Sequence, residues 1–278
     1  MNQSVSFSSG EYLLFDGALL HGTEAHRWLL GEARAVPIYA DLGETAAGVG
    51  PLLVPATPEA QTLAQHLATS GTRYRYACNR LRSRQSDDEV VLHLQQVRYL
   101  LSGADASPRL YFRYADGRAL SSLWPALSQR QRACLLGPIE SWESTDYSGQ
   151  VIREPGQKLQ PEEVYNFTPL HLQPEQWHQV LEADRTAGLH ERTLTDALHF
   201  DLPGLVPDYP LTAQAYEWLR QRKIAEPAVQ TAVTAAAWKT ADLALLASPF
   251  EPLVARACEN GAVAPVLVFA KGFEGNYS

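Results

Sequence analysis

The stretch LYFRYADGRAL, Leu110 to Leu120, decides how the first half of the chain is read. Its side chains alternate by two, as a half-buried strand requires. In that register Leu110, Phe112 and Tyr114 face one side, and Tyr111, Arg113 and Ala115 the other. The Asp116-Gly117 pair ends the strand, and a helix is predicted from Arg118. Asp116 stands where an N-cap belongs, so its carboxylate can accept from the free N–H groups of the first turn. It also lies close enough along the chain to pair with an arginine. Charged residues at the C-terminal ends of strands are a usual place for chemistry in α/β enzymes. Catalysis here would need a third group, a histidine or a second carboxylate from another strand end, and none is signalled. Arg113 and Asp116 therefore read as a structural clamp.

The pattern continues on both sides. EYLLFDGAL (Glu11 to Leu19) predicts a buried strand, TEAHRWLLG a short helix stopped at Gly31, AVPIYADL a second strand and GVGPLLVPA a further one. From Pro58, Ala60, Leu63, Ala64 and Leu67 fall at helical spacing. TRYRYACNRL reads as a strand with Arg73 and Arg75 on one side and Tyr74, Tyr76 and Cys78 on the other. Val90, Leu94, Val97 and Leu101 mark one helical stripe, stopped at Gly103. Ser128 with Gln131 forms a capping-box pattern that starts a helix running to Gly137. The βα alternation predicts an α/β lobe over residues 11–143, with a mixed, partly parallel sheet and flanking helices. A disordered tail, residues 1–10, precedes it.

Residues 144–165 are polar and rich in turn formers, the composition of a linker or excursion. Residues 166–278 predict a mainly α-helical lobe. One helix is expected behind an N-cap at Thr212, and an alanine-rich one carries Pro227 in its first turn. PVLVFAKGF near the end reads as a last strand or an extended tail.

A chain of 278 residues is long enough to bury a core without disulfide or metal staples. Its formal charge of -8 argues against duplex nucleic acid as a partner, since that needs many cationic phosphate contacts. Cys78, Cys134 and Cys258 are odd in number and far apart, which disfavours a secreted disulfide framework. The N-terminus lacks the basic start of a signal peptide, so the expected location is the cytoplasm.

Catalytic and cofactor motifs are missing: no GxSxG, HExxH, Walker loop or GxGxxG. The acidic run Asp87 to Glu89 is better explained by a helix N-terminus than by a cation. His21 and His26, and His171 and His178, lack the spacing of helical metal ligands. No metal and no cofactor are therefore expected. One basic patch stands out, Arg73, Arg75, Arg80, Arg82 and Arg84, with no acidic residue before Asp87. It fits a half-buried strand or a docking surface for an acidic partner equally well, and single-stranded nucleic acid less well.

Five pieces in order carry a resemblance: LLFDGAL, VGPLLVP with Gly50 and Pro51, HLQQVRYLL, YFRYADGRAL, and LLGPIESW with Gly137, Pro138 and Trp142. Together they resemble the effector adaptor (chaperone) family of bacterial type VI secretion systems, whose defining domain has carried only an unknown-function label. Arg113, Tyr114, Asp116, Arg118 and Leu120 match that family's strand-turn pattern, while Gly117 stands where proline is usual. Both residues suit a turn entering a helix. The resemblance spans Glu11 to Trp142 and implies a non-enzymatic protein. Such a protein binds one cognate toxin effector in the cytoplasm and assists its loading onto a VgrG-type spike protein. The arginine patch would then add charge steering. An immunity-type toxin-binding protein and an α/β small-molecule enzyme are the alternatives.

Overall fold

The first unit is built around the strand β1, Gly10–Asp16, in which Leu13 to Phe15 are buried on both faces of a sheet. A computed structural model describes residues 10–70, 73–102, 109–156 and 170–272, and residues 1–9, expected as most of a tail, lie outside them. The chain divides into two compact units, Met1–Leu181 and Glu182–Ser278.

After β1 come the short helix α1 (Gly17–Leu20), α2 (Glu24–Gly31), β2 (Val36–Pro37), α3 (Glu44–Val49), β3 (Pro51–Pro55) and α4 (Pro58–Ala68). They are followed by β4 (Cys78–Ser83), α5 (Asp87–Gln96), β5 (Tyr99–Ser102), β6 (Arg109–Tyr111), α6 (Gly117–Leu123) and α7 (Gln129–Leu136). The unit closes with β7 (Ile139–Thr145), β8 (Val151–Pro155), β9 (Leu170–Leu172) and the first turns of α8 (Pro174–Ala197). Six strands form one sheet in the order β2-β3-β1-β4-β7-β8, and β6-β5-β9 form a second.

The expected α/β lobe of mixed sheet and flanking helices is present, with its parallel pairing in an unexpected place. Every ladder of the six-stranded sheet is antiparallel, and the parallel pair is β5 with β9. The reason is a split crossover. β3 and β4 run the same way and are joined through α4, but β1 lies between them, antiparallel to both. A βα pattern in sequence reports the crossover and not the strand inserted into it.

Alternation along the strands gives the sheet two apolar faces. Tyr12, Leu14, Leu53, Leu81 and Trp142 lie on one, beneath Val90 and Leu94 of α5, Leu120 of α6 and Leu135 of α7. Leu13, Phe15, Leu52 and Val54 lie on the other, beneath Leu20, Leu29 and Leu67.

Several expected elements are corrected. Residues 73–76 form a 3-10 turn, not a strand, closed by the Ala77 N–H on the Tyr74 carbonyl at 3.0 Å. Arg73 and Arg75 are therefore not on one strand face. The helix expected to reach Leu101 ends at Gln96, because Tyr99–Ser102 pairs with β6 and β9; Gly103 lies outside the described residues. The strand through Arg113 ends at Tyr111, and Tyr114 and Ala115 are both buried as the chain turns toward α6. The start of the expected linker, residues 144–155, completes β7 and supplies its hairpin partner β8; residues 157–169 are not among those described.

The second unit is helical, as expected: the rest of α8, then α9 (Tyr209–Gln221), α10 (Pro227–Thr240), α11 (Leu243–Leu246), α12 (Phe250–Asn260) and α13 (Ala264–Lys271). Ten residues of α10 are buried, so alanine and threonine let neighbouring helices approach it closely. PVLVFAKGF supplies α13, which puts Val266 and Ala270 in this core, and not a strand. Thr212 is no cap. Asp208 caps α9 through the Leu211 N–H, and Thr212 is wholly buried inside the helix. Its hydroxyl donates to the Asp208 carbonyl at 2.9 Å and accepts from Trp238 Nε1 at 3.0 Å. With that proton committed, the 2.8 Å contact to His190 requires His190 Nδ1 to donate. Thr212→Val should keep the shape and leave two buried donors without their acceptor. Urea unfolding should then show a loss of about 1–3 kcal/mol.

Candidate functional site

Two Asp-Gly pairs, each opening a helix, meet in the first unit. Asp16 ends β1 and caps α1 by accepting the Leu19 N–H at 2.8 Å. Asp116 caps α6 by accepting the Arg118 N–H at 3.1 Å. The glycine after each aspartate is fixed by close approach. A Cβ on Gly17 would stand 2.3 Å from the Gly50 carbonyl oxygen, and one on Gly117 would stand 2.3 Å from that of Thr145.

Arg113 joins the two pairs. Its Nη2 lies 3.1 Å from both oxygens of Asp16 and 3.4 Å from Asp116 Oδ2. Arg118 holds Asp116 with two parallel bonds, Nε to Oδ1 at 3.0 Å and Nη2 to Oδ2 at 2.9 Å. The aspartates are only 4% and 3% exposed, whereas the Arg113 side chain is 49% exposed. The cation thus stays half in water while neutralising charges that are out of it. Behind it, the Arg118 guanidinium lies 5.3 Å from the Tyr76 ring centre, and that of Arg75 lies 4.7 Å from it. Tyr76 is buried and donates to the Tyr147 carbonyl at 3.4 Å. A chain of contacts therefore runs Asp16–Arg113–Asp116–Arg118–Tyr76–Arg75.

Burial pushes the Asp16 carboxyl above its usual range, against the pull of Arg113 and the Leu19 N–H, and the charge of Asp116 adds to the rise. Each carboxylate accepts from a backbone N–H and from arginine, so the pair is committed to capping and charge neutralisation. The sequence signalled Asp116 as a cap and missed Asp16 as its counterpart. The repeated Asp-Gly, in LLFDGAL and YADGRAL, was the available signal.

The other motif residues brace the same region. Pro51 opens β3 opposite Asp16 and accepts the Ile38 N–H at 2.9 Å. Gly50 closes α3 and supplies the carbonyl against Gly17. Gly137 ends α7 at φ +50°, and a side chain there would meet the His93 ring at 2.2 Å. His93 Nε2 donates to the Leu135 carbonyl at 2.9 Å, and burial pulls its pKa down to about 4. Pro138 accepts the Ser83 hydroxyl at 2.8 Å, and the buried Trp142 packs edge-on to Tyr114 and Trp124.

The five arginines of the basic patch separate into two groups. Arg73 and Arg75, in the 3-10 turn, lie against Tyr74 and Tyr76. Arg80 and Arg82 project from one face of β4, and Arg84 follows that strand. Arg80 pairs with Glu11 at 3.1 Å, and Arg82 and Arg84 approach Glu140 at 3.7 and 2.8 Å. Burial pushes the Cys78 thiol up to about 12, so it is not a thiolate at neutral pH. Among the described residues no helix is long and apolar enough to cross a membrane, and no three His, Cys, Asp or Glu side chains are grouped to hold a metal.

The site thus defines a fold fastened by paired aspartate caps, in an α/β unit whose six-stranded sheet is antiparallel. Residues 11–134, a little under half of the chain, match the family model described as "Domain of unknown function (DUF4123)". No curated protein and no solved structure matches the chain.

Arg113→Ala should leave two buried carboxylates without their shared cation. Such a loss costs about 3–5 kcal/mol in a fully buried pair, and half-exposure of the guanidinium reduces it to about 1–3 kcal/mol at pH 7. Removing the cation raises the Asp16 pKa in the folded state further. The loss is then present at neutral pH and shrinks as pH falls through that raised value, where the folded protein takes up its proton first. Denaturant unfolding of both proteins between pH 7 and pH 5 should show the difference narrowing toward acid; a constant difference would mean that Arg113 acts by packing alone.

Proposed function

We propose that this protein is a non-enzymatic adaptor, or chaperone, that binds a cognate type VI secretion toxin effector in the cytoplasm and assists its loading onto a VgrG-type spike protein. The observation that carries the reading is where the motif residues go. Asp16, Arg113, Asp116, Arg118, Gly50, Pro51, Gly137, Pro138 and Trp142 lie in the stretches that resemble the adaptor family, and each has a partner or close contact within the fold. The two carboxylates hold arginines and helix N-termini, and the buried His93 ring is engaged with a carbonyl. This supports a scaffold whose output is a binding surface. The matched domain, residues 11–134, covers four of the five stretches in full and lends the same support.

Co-expression with the toxin encoded beside it should yield a complex that elutes together from a sizing column. Deleting the gene should abolish secretion of that toxin while sister cells stay resistant to it. Loss of resistance with secretion intact would instead identify an immunity protein. Two proteins that stay separate at micromolar concentration would sink the adaptor reading.

A further inference from the structure

An apolar groove of about 820 Å³ lies between α2 and α4 on the outer side of the first unit's sheet, and neither the aspartate clamp nor the motif residues enter it. Leu20, Trp28, Leu63 and Leu67 line it. On α2 the lining positions are 24, 25, 27, 28, 31 and 32, so the groove follows one face of that helix from end to end. At 1.5 Å per residue that face is about 12 Å long. Two helix faces flanking an elongated apolar floor are the setting in which an amphipathic helix is received.

The far end of α2 is built against the interest of the helix itself. Glu32, its C-cap residue, sets a negative charge where the helix dipole is already negative. Gly31 precedes it, at ordinary negative φ, and a Cβ there would meet nothing within 4 Å. Alanine would fit that space and favour the helix. Neither residue is favoured by the helix itself, and both leave the groove open and acidic at that end. Glu24 stands at the other end, eight residues away, and neither carboxylate makes an ion pair among the described residues. Between them Arg27 donates to the Gly22 carbonyl at 3.2 Å. Arg73 lies 5.7 Å from the ring of Tyr74, another lining residue, and brings a positive charge near the groove. The α2 wall therefore carries two carboxylates with Arg27 between them and is acidic on balance.

We propose that this groove receives one amphipathic helix of a partner protein, whose apolar stripe fills the floor and whose basic residues, seven or eight apart, pair with Glu24 and Glu32. The inference rests on the reading of the chain as a partner-binding protein and names the chemistry of the partner segment. The chain's net charge of -8 favours the approach of such a segment.

The test uses the full chain and a fluorescent 18-residue helical peptide with a leucine stripe and lysines seven apart on its flank. A second peptide carries glutamates in place of those lysines. Anisotropy titration should show saturable binding of the lysine peptide, at least ten-fold tighter than the glutamate peptide. Glu24→Lys/Glu32→Lys should reverse that order, and Gly31→Arg should abolish binding at an unchanged melting temperature. Equal binding of the two peptides, no binding of either, or indifference to the double charge reversal overturns the proposal. So does a dimer in sedimentation that Gly31→Arg dissociates, since the occupant would then be a second copy. A toxin complex that forms unaltered with the double variant removes the groove and leaves the adaptor standing. Lysine-selective peptide binding without any toxin complex does the opposite.

Discussion

One half-exposed guanidinium keeps two buried carboxylates compatible with the fold. Asp16 and Asp116 each sit immediately before a helix, and each presents a carboxylate to a free backbone N–H group of its first turn. Capping favours aspartate at both places, yet like charges in a shared low-dielectric site repel. Arg113 resolves the conflict by reaching both with one nitrogen, while its outer edge stays hydrated and its desolvation cost stays small. The consequences extend through the unit. Asp16 ends the strand that pairs with both β3 and β4, and Asp116 begins the helix whose first residue abuts the backbone of β7.

What the sequence made legible was what is local. The Asp116 cap, the Ser128–Gln131 capping box, the stops at Gly31 and Gly137 and the first-turn Pro227 depend on residues a few positions apart, and each stands where the spacing places it. Four of the five short stretches behind the resemblance fall within the matched domain of unknown function, residues 11–134. What stayed hidden is non-local. Tyr99–Ser102 leaves the expected helix because its partners include Leu170–Leu172, about seventy positions on, and no local pattern encodes that pairing. Thr212 looked like a cap by residue type, but Trp238 and His190 draw its hydroxyl into the core.

The candidate site shows the same division. Arg113 and Asp116 are three residues apart and could be read as a pair; Asp16 is ninety-seven positions from Arg113 and could not. The parallel pairing of the sheet falls in an unexpected place for a related reason. The β3–α4–β4 segment has the local signature of a parallel unit, and only the earlier strand β1, placed between its two strands, turns each ladder antiparallel. Local chemistry specifies the crossover, and chain order alone cannot say what fills it.

Charge distribution carries the reasoning from fold to surface. In sequence, five arginines from Arg73 to Arg84 stand without an acidic neighbour and suggest an exposed positive field. In three dimensions Glu11 and Glu140 arrive from β1 and β7 to meet those on and after β4, and tyrosine rings lie against the two in the turn. A partner's carboxylates would have to displace contacts already made, so the field there is weaker than a count of arginines implies. Glu24 and Glu32 make no ion pair among the described residues, although Arg27 lies between them, and they face solvent along one wall of an apolar groove. Net charge in this protein is a poor guide to where a partner meets it. The pairing left undone within the fold is the better one.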